Sequence, residues 1–95
     1  MDIKVTQPAL NWFKNEMDAE EGDSIRFFVR YGGYSTVQEG FSLGVNKEKP
    51  EEIAASETVD GIEFFVEEKD LWYFKDGNLT VKFSRKQDEI SFILE

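Results

Sequence analysis

The stretch Ser24-Ile25-Arg26-Phe27-Phe28-Val29-Arg30-Tyr31 constrains the fold of this chain more than any other. Ile25, Phe27, Val29 and Tyr31 fall on one side of an extended backbone, and Arg26, Phe28 and Arg30 on the other. That alternation reads as a strand with one face turned to a core. The chain is 95 residues long, which suits one domain, expected to span residues 1–95. A domain of this size buries only roughly 60–65% of its unfolded surface. Its core must come from a hydrophobic share of 40% that includes nine Phe, three Tyr and two Trp.

Ahead of that strand, Asp2 to Val5 is short and β-compatible. Thr6 is placed as an N-cap whose hydroxyl accepts from an early helical N–H. Pro8 fits the first turn, where its missing donor costs nothing. Leu10, Phe13 and Met17 recur at helical spacing beside Ala9 and Trp12, and Gly22 offers a left-handed terminus. The helix is expected from about Gln7 to Glu20. Further strands are expected at Phe41 to Val45, at Ile62 to Val66 with Phe64 and Phe65 on opposite faces, at Leu79 to Ser84 and at Glu89 to Leu94. Arg85 to Asp88 turns the last two into an antiparallel hairpin. Asn46 to Glu57, with Pro50 and many charges, reads as a loop, and Thr58-Val59-Asp60-Gly61 as a strand end with a tight turn. The stretch before Leu79 has two readings. Asp76-Gly77 suits a hairpin turn, and Glu67 to Phe74 suits a short helix with acidic residues in its first turn. A helix followed mostly by strands makes an α+β class.

The chain has no cysteine and no histidine. That excludes a Ser-His-Asp triad, a cysteine nucleophile, the usual zinc sites and thiolate ligation of iron–sulfur clusters. Gly32-Gly33 lacks the Gly-Lys-Ser/Thr ending of a phosphate-binding loop, and there is no GxGxxG. Asp60-Gly61-Ile62-Glu63 and Asp76-Gly77-Asn78 are too sparse for a calcium loop. No metal ligand, cofactor or catalytic residue is therefore assigned. The net charge of −9 disfavours nucleic acid and anionic membranes as partners, since both are held by Lys and Arg. No apolar run approaches the roughly 20 residues of a membrane span. Met1-Asp2-Ile3-Lys4 lacks the regions of a signal peptide. A cytoplasmic protein is expected. Nothing in the sequence specifies an oligomeric state.

Residues 23–46 and 79–95 are each neutral, so the other segments carry all nine excess negative charges. If the strands holding Arg26, Arg30 and Lys82 were neighbours, a basic docking patch would result. Otherwise these cations pair across strands with nearby acids, each pair contributing roughly 0.2–1 kcal/mol. The loop from Gly32 to Gly40 is the other candidate. Its paired glycines allow unusual backbone geometry, and loops on rigid sheets often carry function, although a plain wide turn explains the glycines equally well. The candidate binding set is Tyr31, Gly32, Gly33, Tyr34 and Gln38, with Arg26 and Arg30.

Arg30-Tyr31-Gly32-Gly33 followed by Gly40-Phe41-Ser42-Leu43-Gly44 resembles the glycine-rich core motif of the HesB-like family, the A-type iron–sulfur carriers and scaffolds. Asp60-Gly61-Ile62-Glu63-Phe64-Phe65-Val66 is similar to that family's Asp-Gly strand, and Glu67 to Gly77 to its short helix and turn. Ile3-Lys4-Val5-Thr6 and the following helix match its start. The resemblance implies a twisted, mostly antiparallel, β-sandwich-like fold with an N-terminal helix, and a second short helix over Glu67 to Phe74. It also exposes departures. Carriers place a cysteine directly after the glycines, where this chain has Tyr34. They place two more in a Cys-X-Cys tail, and this sequence ends at Glu95 without one. The loop between Gly33 and Gly40 is longer than in carriers. The resemblance therefore implies a scaffold kept without its cluster ligands, and a non-catalytic adaptor or accessory protein related to iron–sulfur assembly, with a protein partner. The alternative is a hard-ligand metal or small-molecule site built from acidic residues and Tyr34.

Overall fold

A computed structural model of the protein describes residues 1–31 and 41–95. The elements run β1 (Ile3–Val5), α1 (Gln7–Glu16), β2 (Ser24–Tyr31), β3 (Phe41–Lys47), β4 (Ile53–Val59), β5 (Ile62–Glu67), a 3₁₀ helix (Glu68–Phe74), β6 (Leu79–Ser84) and β7 (Glu89–Leu94). Among the described residues they form a three-stranded sheet in the order β1-β6-β7 and a four-stranded sheet in the order β3-β2-β5-β4. The β2–β3, β4–β5 and β6–β7 pairings are antiparallel, whereas β1–β6 and β2–β5 are parallel. The α+β class holds. The helical reading of the segment before β6 also holds, in 3₁₀ form. No helix among the described residues is long and apolar enough to cross a membrane.

The core lies between the sheets and α1. Ala9, Leu10 and Phe13 form the buried stripe of α1, and Ile25, Phe27, Ile62, Phe64 and Val66 form the inner face of β2 and β5. Phe13, Phe27 and Phe64 pack ring to ring at centroid separations of 5.1–6.1 Å, and Phe92 of β7 meets Phe27 edge-on at 5.8 Å. Such aromatic pairs add about 0.5–1.5 kcal/mol each beyond their buried area.

Three local expectations need correction. Helix α1 stops at Glu16, not Glu20. Asp18 takes a left-handed φ of 51°, and the N–H of Ala19 closes back on the carbonyl of Phe13 at 3.2 Å. Buried Ala19 thus supplies the apolar contact that ends a helix in this way. Gly22 instead belongs to the turn into β2, where its N–H reaches Gly61 O at 2.9 Å. Thr6 occupies the N-cap position without a side-chain cap; its hydroxyl donates to Val81 O at 3.3 Å. The loop expected at Asn46 to Glu57 contains a strand. β3 runs on to Lys47, and β4 begins at Ile53.

β3 and β4 are opposite edges of the four-stranded sheet, so the segment joining them must cross its outer face. Buried Glu67 holds that strap, accepting from the N–H groups of Glu51 at 2.9 Å and Glu52 at 2.6 Å. Phe65 lies on the same face as Arg26, to which it is paired in register. It is fully buried yet outside the main core cluster, and its neighbours on that face, Arg26 and Glu67, both hold the strap. Phe28 on this face packs over Gly44, its cross-strand partner. A Cβ at Gly44 would sit 2.6 Å from Phe28 Cζ, so the ring occupies the space a side chain would need.

Candidate functional site

β5 ends at Glu67, while β2 continues to Tyr31. The parallel pairing between them stops at Phe27 and Val66. The last residues of β2 therefore lose a neighbour on that side, and the 3₁₀ helix fills the place. Buried Asp70 on that helix accepts from the Val29 N–H at 3.4 Å, as a continuing strand would, and from Arg26 Nη2 at 2.7 Å.

Arg26 is the centre of this arrangement. Its other terminal nitrogen reaches Glu48 of the strap at 2.6 Å, and its guanidinium lies 5.6 Å from the centroid of Phe28. Burial lowers the Arg26 pKa, and the hydrogen bonds to Asp70 and Glu48 outweigh it, so the net direction is upward. The Glu48 carboxyl is held below the usual glutamate range, chiefly by its bond to Arg26. Arg26 Nε is buried and has no hydrogen-bond partner among the described residues. Arg26 thus ties the strap and the 3₁₀ helix to β2; it pairs with acids, as expected, but on these two connections and not across strands. Lys82 lies on β6 in the other sheet, so the basic patch that required it beside Arg26 and Arg30 does not form through strand neighbours. Arg30 is exposed, with its Nε donating to Ser42 Oγ at 3.3 Å.

Past Arg30 the surface turns apolar. Tyr31 is 92% exposed and meets Phe41, its partner across β2–β3, edge to face at 5.3 Å. Phe41 in turn meets Trp72 of the 3₁₀ helix at 5.3 Å and 82°. Among the described residues the exposed large apolar side chains are Tyr31, Ile53, Leu71 and Trp72. Tyr31 and Trp72 are joined through Phe41, and Leu71 precedes Trp72 on the helix that follows β5, whereas Ile53 pairs with Glu67 on the opposite face of the sheet. Apolar residues gathered at the surface, as Tyr31, Phe41 and Trp72 are, mark interaction surfaces more often than scattered ones do. Trp and Tyr are also the residues that most often anchor such contacts.

Of the sequence candidates, the structure puts Tyr31 in this surface, and Arg30 and Arg26 on the other face of β2, Arg26 in its ion pairs with Glu48 and Asp70. Gly32, Gly33, Tyr34 and Gln38 lie outside the described residues. Phe41, Leu71 and Trp72 were not among the candidates. The available signal was the run Leu71-Trp72-Tyr73-Phe74, because a short helix cannot turn four consecutive large side chains inward. Tyr73 and Phe74 are buried, and the other two face out.

A family model for iron–sulphur cluster biosynthesis matches residues 1–95. The chain belongs to that family. A pyruvate dehydrogenase inhibitor of Bacillus subtilis (strain 168) is 53% identical over 92 residues, covering 97% of each chain. Uncharacterized proteins of Staphylococcus saprophyticus and of Staphylococcus aureus (strain USA300) are 42% and 40% identical over 95 residues, again covering 97% of each chain. Membership of the iron–sulphur cluster biosynthesis family implies a cluster, and the residues present do not fit one. Clusters are held by thiolates, or by imidazole in some cases, and this chain has neither. The described residues also contain no group of three or more Asp or Glu placed to hold a metal ion.

Proposed function

We propose that this protein is a non-catalytic, protein-binding member of the iron–sulphur cluster biosynthesis family that acts in the cytoplasm by docking on a pyruvate dehydrogenase and restraining it. The observation that carries the reading is the apolar end formed by Tyr31, Phe41, Leu71 and Trp72, a surface suited to a protein. The Bacillus subtilis relative, named a pyruvate dehydrogenase inhibitor and alike over 97% of each chain, supports the choice of partner. On this reading the scaffold that carries clusters elsewhere in the family serves as an adaptor.

The test is direct. Purified protein is added to a bacterial pyruvate dehydrogenase complex, and NADH formation from pyruvate is followed. A dose-dependent fall is expected, relieved by Trp72→Ala with the fold intact by circular dichroism. Unchanged turnover at a large molar excess would reject the proposal. The hard-ligand alternative is addressed on the same sample by calorimetry with iron(II), calcium and magnesium, in which binding heat would revive it.

A further inference from the structure

We infer that a second copy of this chain docks along the outer edge of β3, strand against strand about a two-fold axis. The inference does not rest on the docking role proposed above.

β3 has β2 on one side and, among the described residues, no strand on the other. The Glu48 N–H reaches Ser24 O at 3.2 Å, one step beyond the Ile25–Lys47 pair. Bonds alternate along an antiparallel pair, so those from β3 to β2 continue through Asn46, Gly44 and Ser42. The N–H and C=O groups of Leu43 and Val45 therefore point away from β2. The Val29 N–H, bonded to Asp70 on the other side of β2, fits that phase, since Val29 is the register partner of Leu43.

Proteins commonly blunt a free edge with charge, proline, a bulge or short length. β4 has a register shift between Ile53 and Ala55 and an exposed Glu57, and β1 has three residues. β3 has none of these devices over Phe41-Ser42-Leu43-Gly44-Val45-Asn46. Phe41, Leu43 and Val45 are half-buried, so each has apolar surface left to cover. Phe28, which lies over Gly44 on the opposite face, is half-buried too.

The strand is complementary to itself. In an antiparallel pair centred on Gly44, Leu43 of one copy exchanges backbone bonds with Val45 of the other, and the axis repeats the exchange. Gly44 faces Gly44, which leaves room for both Phe28 rings, and Phe41 faces Lys47. Ser42, which accepts from Arg30, faces Asn46, which donates to Glu48. Each copy thus brings Arg30, which forms no ion pair among the described residues, toward an acid of the other. Residues 23–46 sum to zero charge on a chain of −9, so the segment carrying most of β3 adds no self-repulsion to the contact. β7 is also an apolar edge, but Glu89 and Glu95 bound it. Pairing β7 with itself about its centre would set those acids opposite each other, which is destabilising.

The experiment is sedimentation equilibrium of the full chain from about 10 μM to about 1 mM, with amide hydrogen exchange read by NMR at both limits. A reversible dimer is expected at the upper limit. Exchange at Leu43 and Val45 should be slowed there by at least about tenfold, as it is for newly bonded amides, with exchange at Gly44 little changed. Leu43→Pro removes an outward donor and no bond to β2, so this variant, folded by circular dichroism, should remain a monomer at the upper limit. A wild-type chain that is monomeric throughout would overturn the inference and leave the edge to a strand of another protein. A dimer whose Leu43 and Val45 amides exchange as fast as in the dilute sample would overturn it as well, by placing the contact elsewhere. The exchange measurement is decisive whether or not the proline variant folds.

Discussion

The two ends of β2 make opposite use of one alternating pattern. Toward Ser24 the strand is paired on both sides, and Ile25 and Phe27 are fully buried. Toward Tyr31 it has outrun β5, and the residue in phase with Ile25 and Phe27 stands 92% in solvent. The two arginines repeat the contrast. Arg26 is locked between Asp70 and Glu48, whereas Arg30, four residues later on the same strand face, is exposed and forms no ion pair among the described residues, its Nε donating to Ser42 Oγ. The difference comes from where a neighbouring strand stops, not from the pattern itself. A surface for a partner arises where a good strand continues past its support.

Substitutions along β2 and its neighbours can break or sharpen this contrast. Phe27→Ala should have the largest effect, because it empties the centre of the Phe13–Phe64–Phe92 cluster. A loss of about 3–5 kcal/mol is expected, read as a lower urea midpoint. Asp70→Ala should come next, at about 2–3 kcal/mol, since it leaves Arg26 and the Val29 N–H short of an acceptor in a nearly buried place. This middle zone also carries a pH signature. Glu48 has a lowered pKa in the folded protein, so its contribution is present above the ordinary glutamate range and is lost as pH falls through the lowered folded value. The stability gap between wild type and Glu48→Gln should therefore narrow steadily in urea melts taken from pH 7 down to pH 3. Tyr31→Ala should have the smallest effect, within about 0.5 kcal/mol. A loss near that of Phe27→Ala would show that Tyr31 belongs to the core and would end its role as free surface.

Much of the architecture was legible because burial and periodicity agreed. β2, β5 and the β6–β7 hairpin have inner faces whose apolar residues recur every second position, and the buried stripe of α1 has helical spacing. β4 was not legible for a physical reason. It is an edge strand with the sequence Ile-Ala-Ala-Ser-Glu-Thr-Val, in which only Ala55 is buried, so charge and small side chains hide its extended backbone. The helix end was misplaced because Asp18, not glycine, takes the left-handed turn. Of the candidate surface, only Tyr31 was visible in the sequence. Trp72 came to it only through tertiary structure, because the register that sets Phe41 against Tyr31 also sets it against the helix after β5.

The strap from β3 to β4 looks from its charges like spare chain, the sort of place where an engineer would graft a tag. It works instead as a lid fastened at two points, by Arg26 near its start and Glu67 near its end. Lengthening it would loosen the bonds that Arg26 and Glu67 make to it, and the one from Glu68 N–H that ties it to the start of the 3₁₀ helix. A connection made almost wholly of charged residues is thus a poor place for an insertion.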